Sequence, residues 1–368
     1  GFDMGGTSTD VSLIRDGKPT ISRQTSLGYY PIKIPSVEVH SVGAGGGSIA
    51  HVPELTKALR VGPESAGADP GPAAYAKGGS APTVTDANVV LGYLPASSRL
   101  GGDMQIDRAK AEAAVGAIAE ALDFSVERAA QGIYDIVNEN MVGALRLVSV
   151  QQGNDPRDFA LIAFGGAGPL HGNALARILD CWPVIVPPGP GVLCAYGDAT
   201  TRSRDEASRS LMRRFSQTSA AEVGEIFADL SAAAARTLDA EGIAETERST
   251  SYEVDVRYSG QVLSLPVAVD IDAFRENGLA HIGDSFDALH EKLYTFALES
   301  EREIINLRAI VQGRETLADA GRITRGNSDP SAAKVAEEKI FADGGWQDAT
   351  IYQRDLLQAG NIIAGPAI

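Results

Sequence analysis

The sequence predicts an α/β protein with a parallel sheet covered by helices, followed by an α+β region. The first observation is the β-turn-α-β order of an apolar strand at 159–164, a glycine turn at 165–168, a helix from Pro169 to about Leu179 and a strand at 184–186. This order is typical of parallel strands covered by helices. The second is the alternation of apolar or aromatic with charged residues over 252–258, which indicates a half-buried strand.

The first part of the chain is predicted to be rich in short strands. Residues 11–14 form an apolar run, and Asp16-Gly17 then predicts a hairpin turn, because Asp-Gly between two strand-like runs favours that geometry. The returning strand is expected at 19–26. A third strand is expected at 36–42, and it leads into the glycine-rich run 43–48.

Two amphipathic helices are predicted after a long loop. Glycine and proline recur over 60–103, which predicts an ordered loop with short elements. Asp107 and Ser125 are suitable N-caps, and each precedes apolar residues at helical spacing. The second helix is expected to end near Gly153.

The C-terminal region is expected to form a separate α+β domain. Ser219 and Glu222 have capping-box spacing and predict a helix that ends at Gly242. A strand at 263–269, a helix through 286–296 and a strand at 304–311 are expected to follow, with a linker or mobile loop at 312–335. With a boundary near 201–217, the predicted domains are residues 1–205 and 206–368.

Composition limits the classes of function. The 368 residues carry a net charge of −16, which argues against nucleic acid as a partner. The two cysteines are too few for a disulfide framework, and no apolar stretch is long enough to span a membrane. We therefore expect a cytoplasmic protein with no membrane partner. The chain begins inside a predicted strand, which suggests a fragment.

The most informative motif is the segment Asp3-Met4-Gly5-Gly6-Thr7-Ser8-Thr9-Asp10. Its two glycines allow backbone N–H groups to point at an anion, and the hydroxyls of Thr7 and Ser8 add donors. Asp3 and Asp10 are placed to hold a hydrated Mg²⁺, which prefers carboxylates and water. The alternative is a plain hairpin whose polar residues serve only the turn.

A second glycine-rich motif is Gly165-Gly166-Ala167-Gly168-Pro169-Leu170-His171, between a strand and a helix. N–H groups and the helix dipole favour a ligand at such a position. Close packing of the strand against the helix is an equally good explanation, because the motif lacks the dinucleotide spacing and the P-loop lysine.

Several single residues are weaker candidates. Asp69 and Asp86 are candidate bases or metal ligands, although each could instead cap its own loop. His171 could orient a phosphate or act as an acid or base, or make local hydrogen bonds at the start of its helix. The run 43–48 could approach a ligand or simply end a strand. Cys194 is expected to be a buried free thiol rather than a nucleophile.

Together the two glycine motifs resemble the second phosphate loop and the adenosine loop of the ribonuclease-H-like ATPases, the superfamily of actin, Hsp70 and the sugar kinases. A closer resemblance is to the hydantoinase A family, which includes N-methylhydantoinases, 5-oxoprolinases and the β-type subunits of acetone and acetophenone carboxylases. The segments that carry it are FDMGGTSTDVSLI, SVGAGGGSIAHV, LRVGPESAGADPGPAAYAKGGSAPTVTDANVVLGYL, AFGGAGPLHG, VPPGPGVLCAYG, YEVDVRYSGQ and LLQAGNIIAGPAI.

The resemblance implies ATP-dependent activation of a cyclic amide of the hydantoin or 5-oxoproline type by phosphoryl transfer. It implies ATP and Mg²⁺ as cofactors, with Asp3 and Asp10 at the metal, Gly5, Gly6, Thr7 and Ser8 at the phosphates, and Gly165, Gly166, Ala167, Gly168 and Pro169 at the adenosine. Asp10, Asp69, Asp86 and His171 are the candidate catalytic residues.

The partners implied by this resemblance are a small-molecule substrate and a hydantoinase B-type subunit or domain. Homo-oligomer formation stays open. Family members carry a further N-terminal half with a first phosphate loop, so this chain is expected to lack that half. Two functions are alternatives to the cyclic-amide hydrolase. One is the ATP-using β-type subunit of a ketone carboxylase, and the other is a non-catalytic nucleotide-binding module.

Overall fold

The computed structural model describes residues 1–22, 25–27, 29–32, 36–95, 97–102, 104–314 and 323–368. Its residues form two compact units, Gly1–Tyr196 with Asp319–Ile368 and Gly197–Ala318. This division differs from the predicted domains, because the last part of the chain returns to the first unit. There Phe341 N donates to Leu91 O at 2.8 Å, and Tyr93 Oη donates to Phe341 O at 2.9 Å.

The first unit is built from many short strands and a few long helices. Its strands up to residue 196 are β1 Phe2–Met4, β2 Thr9–Val11, β3 Ile14–Arg15, β4 Lys18–Pro19, β5 Ile21–Ser22, β6 Thr25–Leu27, β7 Tyr30–Ile32, β8 Ser36–Val37, β9 His40–Val42, β10 Ser48–His51, β11 Arg60–Ser65, β12 Arg99–Leu100, β13 Met104–Gln105, β14 Leu161–Phe164 and β15 Val184–Ile185. Its helices are α1 Val84–Val90, α2 Arg108–Leu122, α3 Val126–Val148 and α4 Gly168–Leu179, and α5 Leu193–Ala199 ends just beyond it.

The central sheet of this unit has five strands in the order β15-β14-β1-β2-β9. Strands β1, β14 and β15 are parallel, whereas β2 is antiparallel to both β1 and β9. The predicted parallel pairing is therefore confirmed within a mixed α/β architecture. Because of these directions, the last residues of β1, β9, β14 and β15 lie at the same side of the sheet as the first residue of β2. We call this side, where these strand ends meet, the common edge of the sheet.

Helices α2 and α3 form as predicted, with Asp107 and Ser125 as their N-caps. The Asp16-Gly17 hairpin also forms, since β3 pairs with β4. Parts of the predicted strand at 19–26 and of the predicted linker at 312–335 lie outside the described residues. Helix α1 was not predicted: all seven of its residues are buried, so it has no polar face to produce a helical pattern.

The second unit is an antiparallel sheet with helices packed against it. Its strands have the order β16-β19-β17-β18, and Val254, Val256 and Leu307 belong to a core that also contains Phe227 and Phe286 from the helices. The elements are β16 Arg204–Arg214, α6 Ala220–Ala240, β17 Arg248–Tyr258, β18 Leu265–Val269, α7 Ile271–Asn277, α8 Leu279–Tyr294 and β19 Arg302–Gly313.

A hairpin near the C-terminal end belongs to the first unit. It consists of β20 Lys334–Ala342 and β21 Gly345–Tyr352, and the final residue hydrogen-bonds along it, since Ile368 N donates to Thr350 O at 3.0 Å. In the described part of the chain, no helix combines the length and apolar character needed to cross a membrane.

Candidate functional site

Four loops meet at the common edge of the central sheet. They are the turn 5–8 between β1 and β2, the run 43–48 after β9, the turn 165–168 after β14 and the segment 186–194 after β15. Ligands of α/β proteins bind at the carboxyl ends of parallel strands, where loops and helix starts converge. Both glycine motifs of the sequence thus lie at one edge.

The first of these loops is a tight turn with two exposed residues at its tip. Gly5 N donates to Ser8 O at 3.0 Å, which leaves Gly6 and Thr7 exposed. No described residue accepts a hydrogen bond from the amides of Gly6 or Thr7. Adjacent free amides on a turn without bulky side chains can bind an anion. The turn therefore has the properties expected of a phosphate loop.

The glycine run 43–48 packs against the turn 5–8 and donates backbone hydrogen bonds to it. Gly46 N donates to Gly5 O at 3.0 Å, and Gly47 N donates to Gly6 O at 2.6 Å. A Cβ at Gly45 would lie 2.6 Å from Thr7 N, so only glycine permits this approach. The sequence left open whether the run approaches a ligand or ends a strand, and the structure shows it packed on the backbone of the turn.

Asp3 and Asp10 face each other across β1 and β2. They lie on the sheet face opposite the buried Phe2 and Met4, as the alternation of a strand requires. Ser41 Oγ donates to Asp10, and Cys194 Sγ donates to Asp3 Oδ2 at 2.9 Å. No lysine or arginine among the described residues forms an ion pair with either carboxylate.

The pair could bind a cation with the help of other ligands. Two carboxylates completed by water or phosphate oxygens are a common arrangement for Mg²⁺. Within the described ranges, no cluster of three or more His, Cys, Asp or Glu side chains is arranged to hold a metal ion. The pair is therefore suited to a cation that arrives with its own oxygen ligands.

The turn after β14 is in direct contact with the first motif. Gly165 has a φ of 82°, and a Cβ there would lie 2.2 Å from Asp3 Oδ1, so the position requires glycine. Ala167 N donates to Met4 O at 2.9 Å, and Gly165 N donates to Pro190 O at 2.9 Å. Gly166 has open space around it, and Pro169 lies in the first turn of α4.

The structure does not support a catalytic role for Asp86, because its carboxylate is fully buried and caps its own loop. It accepts hydrogen bonds from Ala74 N at 2.7 Å and from Thr83 N and Thr83 Oγ1 at 2.9 and 2.7 Å. Thr83 and Asp86 form a capping box at the start of α1. Burial raises the pKa of Asp86, whereas these hydrogen bonds oppose that rise. The capping alternative is the one that the structure shows.

His171 is likewise placed inside the fold rather than at the edge of the sheet. Its side chain is fully buried, with Nδ1 2.8 Å from Asn138 Oδ1 and Nε2 3.1 Å from Asn88 Nδ2, and its ring stacks on Tyr134. Burial lowers the pKa of His171 to about 3, so the imidazole is neutral at physiological pH. These contacts favour the alternative of hydrogen bonding within the fold, and the catalytic role of His171 stays a prediction.

Asp69 lies on an exposed loop that approaches the phosphate turn from its other side. Ser65 Oγ is 3.4 Å from Thr7 Oγ1 and accepts from Gly67 N at 3.1 Å, and Ala66 N donates to Gly47 O at 2.8 Å. Asp69 is exposed, and among the described residues no donor or cation pairs with its carboxylate. Its catalytic role stays a prediction.

Cys194 is a site residue that sequence reasoning missed. It was expected to be buried, but it is exposed and adjoins Asp3. The hydrogen bond to Asp3, with smaller contributions from burial and the charges of Asp3 and Asp10, raises the pKa of the thiol to about 11. The thiol is therefore a donor rather than a nucleophile. The segment VPPGPGVLCAYG indicated the region but not the contact.

A cavity of about 1140 Å³ lies elsewhere in the first unit, between α3, α4 and the C-terminal hairpin. Its lining includes Tyr134, Pro169 and Leu170 but neither Asp3 nor Gly6. The cavity shares Pro169 with the candidate adenosine turn and Val186 with the segment 186–194, but no residue of the turn 5–8 lines it.

Comparison with known proteins identifies relatives for the whole chain. The caprolactamase subunit alpha of Pseudomonas jessenii is 36% identical over all of this chain and 53% of its own length. The acetophenone carboxylase gamma subunit of Aromatoleum aromaticum is 35% identical over all of this chain and 52% of its own length. The chain thus spans about half the length of these curated relatives.

The fold is also that of a solved relative. The crystal structure of the ATP-dependent caprolactamase from Pseudomonas jessenii matches all of this chain and 54% of its own, with a TM-score of 0.85 and 35% identity. The hydantoinase/oxoprolinase family model matches residues 1–207, and the model of the hydantoinase/oxoprolinase C-terminal domain matches residues 212–368. The chain therefore belongs to the hydantoinase/oxoprolinase family.

Proposed function

We propose that this chain is the nucleotide-binding part of an ATP-dependent hydrolase that activates a cyclic amide by phosphoryl transfer. One observation carries the proposal: the exposed Gly6–Thr7 turn, the facing carboxylates Asp3 and Asp10 and the Gly165 turn meet at one edge of the sheet. The similarity to an enzyme named ATP-dependent caprolactamase supports the same chemistry. Caprolactam is itself a cyclic amide.

The residues at this edge fit ATP and a divalent cation. Gly5, Gly6, Thr7 and Ser8 would hold phosphate oxygens, and Asp3 and Asp10 would hold Mg²⁺. Gly165–Pro169 would line the adenosine, as in the ribonuclease-H-like fold that we also propose for residues 1–205. When bound, ATP supplies the phosphoryl group that makes the amide carbonyl carbon a better electrophile, and phosphoryl transfer needs chiefly positioning and neutralisation of charge.

The chain's own residues have distinct tasks in this proposal. The amides of Gly6 and Thr7 orient phosphate oxygens, and glycine at positions 45 and 165 keeps that turn and the Asp3 carboxylate in place. Asp69, an exposed carboxylate without a partner among the described residues, is suited to accept a proton from the nucleophile or substrate on the Ser65 side of the turn. Asp10 stays a second candidate for this task.

The ATP-using subunit of a ketone carboxylase is the second candidate function. It is favoured by the 35% identity to the acetophenone carboxylase gamma subunit. Transfer of a phosphoryl group to an enolate oxygen would use the same turn and carboxylates. In both cases a further subunit or domain, which we propose to be of the hydantoinase B type, completes the reaction.

The test is calorimetric titration of the full-length protein with Mg²⁺ and a non-hydrolysable ATP analogue. We expect micromolar binding that is lost in Asp3→Ala and in Gly6→Val, because the first removes a metal ligand and the second covers the turn. Gly116→Ala, on α2 and outside the proposed site, has open space for a methyl group and should bind as the wild type. Wild-type affinity in both Asp3→Ala and Gly6→Val would overturn the proposal.

Turnover of the full-length protein with its partner subunit separates the two enzymes. ATP consumption that depends on a lactam or hydantoin supports the hydrolase, and ATP consumption that depends on a ketone and bicarbonate supports the carboxylase. ATP binding without turnover on either class would favour a non-catalytic module.

A further inference from the structure

Four side chains form a row across the exposed face of the central sheet. β1 and β2 place Asp3 opposite Asp10, and β2 and β9 place Asp10 opposite Ser41. Cys194, from the start of α5, adjoins Asp3 on the other side. We call Cys194, Asp3, Asp10 and Ser41 the carboxylate row.

Each carboxylate of the row accepts one hydrogen bond from the side chain at its outer side. Cys194 Sγ lies 2.9 Å from Asp3 Oδ2, and Ser41 Oγ donates to Asp10 Oδ1. A hydrogen bond to one oxygen restricts the rotation of a carboxyl group. Both donors are neutral, so neither competes as a cation with a metal ion.

The row is poorly explained by fold stability alone. Ser41 and Cys194 are both exposed, and exposed hydrogen bonds exchange with water and add little to stability. Ser41 lies on β9, the outermost strand on one side of the sheet, and Cys194 lies on the short helix α5. Two donors from distant parts of the chain thus converge on the same pair of carboxylates.

The segment that carries Cys194 is itself fixed to the site. Pro190 O accepts from Gly165 N at 2.9 Å, and Gly165 passes so close to Asp3 that a Cβ there would lie 2.2 Å from Asp3 Oδ1. Asp3 is thereby bounded by the Gly165 backbone near one carboxylate oxygen and by the Cys194 thiol at the other. This enclosure restricts the orientation of the carboxyl group.

From this geometry we infer that Ser41 and Cys194 are positioning residues that orient Asp10 and Asp3 for a divalent cation. The inference rests on the proposed function, in which these carboxylates hold the metal. Groups that hydrogen-bond to metal ligands tune affinity, and their removal costs about 10- to 100-fold in metal binding or activity.

The experiment measures Mn²⁺ binding by electron paramagnetic resonance in the full-length protein, with a non-hydrolysable ATP analogue present. Ser41→Ala and Cys194→Ala should each weaken Mn²⁺ binding about tenfold, and the double variant should lose about the product of the two effects, since each acts on a different carboxylate. Ser41→Thr and Cys194→Ser, which retain a hydroxyl donor, should stay within about threefold of the wild type.

Cys181→Ala is the matched control. The Cys181 thiol lies in the same unit and donates to Phe159 O at 3.0 Å, but it has no contact with the carboxylate row. It should bind Mn²⁺ as the wild type does. An equal loss in Cys181→Ala would indicate general destabilisation and would overturn the inference.

Asp3→Ala and Asp10→Ala distinguish failure of the inference from failure of the proposed function. If these two variants lose Mn²⁺ binding while Ser41→Ala and Cys194→Ala keep it, the positioning roles are wrong and the metal site stands. If the two aspartate variants bind Mn²⁺ as tightly as the wild type, the metal site itself is wrong and the inference fails with it.

Discussion

Two pairs of acidic side chains, one pair in each unit, have different kinds of partner. In the second unit, Asp255 accepts two hydrogen bonds from the Arg308 guanidinium, and Glu303 accepts from Arg257 Nε at 2.9 Å. At the sheet edge of the first unit, Asp3 and Asp10 accept from a thiol and a hydroxyl, and no described side chain that donates to them is charged. The negative charge of the first pair of carboxylates is balanced by arginine, and that of Asp3 and Asp10 is not.

This difference separates structural carboxylates from candidate functional ones better than residue type or sequence position does. A carboxylate paired with arginine has already exchanged its hydration for an internal cation. A carboxylate held by neutral donors stays available for an external cation. The four changes below test this distinction and the packing around the candidate site.

Arg308→Met should have the largest effect. It leaves the buried Asp255 carboxylate without this guanidinium, and breaking a buried pair costs about 3–5 kcal/mol. Denaturant unfolding, followed by far-ultraviolet circular dichroism, measures the loss. Arg275→Met is the matched control, because its pair with Asp272 is exposed and contributes at most about 1 kcal/mol. Equal losses in both variants would remove the contrast between buried and exposed pairs.

Gly165→Ala should cost about 3 kcal/mol, because alanine disfavours a φ of 82° and its methyl group would overlap Asp3 and the Met4 carbonyl. Nucleotide binding should fall with stability, since the same overlap displaces Asp3. Gly166→Ala, one residue away in open space, should change the free energy of unfolding by less than about 1 kcal/mol. Similar unfolding midpoints for the two variants would contradict the steric argument.

The buried His171 should make stability depend on pH between 6.5 and 3. Its folded pKa of about 3 lies below the unfolded value, so its stabilising contribution is complete above pH 6.5 and is lost as the pH falls. The slope from this residue approaches about 1.4 kcal/mol per pH unit. His171→Gln should flatten this part of the profile, and an unchanged slope would mean that other groups produce it.

Asp3→Asn should have the smallest effect on stability, less than about 1 kcal/mol, because no internal cation depends on Asp3 and the amide keeps nearly the same shape. Its effect on Mn²⁺ binding should nevertheless exceed that of every other change here. A large loss of folding stability in Asp3→Asn would place Asp3 with the structural carboxylates and contradict the distinction.

Much of the fold could be predicted because local signals and tertiary packing agree. Asp107 and Ser125 cap helices whose apolar residues recur at helical spacing, and the glycine turn after β14 marks a strand-to-helix connection. Helix α1 was missed because Thr85, Asp86 and Asn88 interrupt its apolar pattern. The partners of Thr85 and Asn88, Gly46 and His171, lie elsewhere in the chain, so the sequence gives no reason to bury these two side chains.

The candidate site was predicted only in part, because some of its contacts are local in sequence and others are not. The residues of the turn 5–8 are contiguous, so their pattern is visible in the sequence. The contacts of Ser41 and Cys194 with the carboxylates join residues 31 and 191 positions apart, and no local rule indicates them. For Asp86 and His171 two roles stayed open, because the sequence shows an ionisable side chain but does not show whether it is buried.

The return of the C-terminal hairpin to the first unit has a consequence for synthesis. The second unit is one continuous segment, whereas the first unit contains the hydrogen bonds that join Phe341 to Leu91 and Tyr93, about 250 residues earlier. Closing so long a loop is slow, and domains generally fold as units while the chain emerges from the ribosome. We therefore expect the second unit to fold first, and the contacts of the first unit to be complete only after residue 341 has emerged.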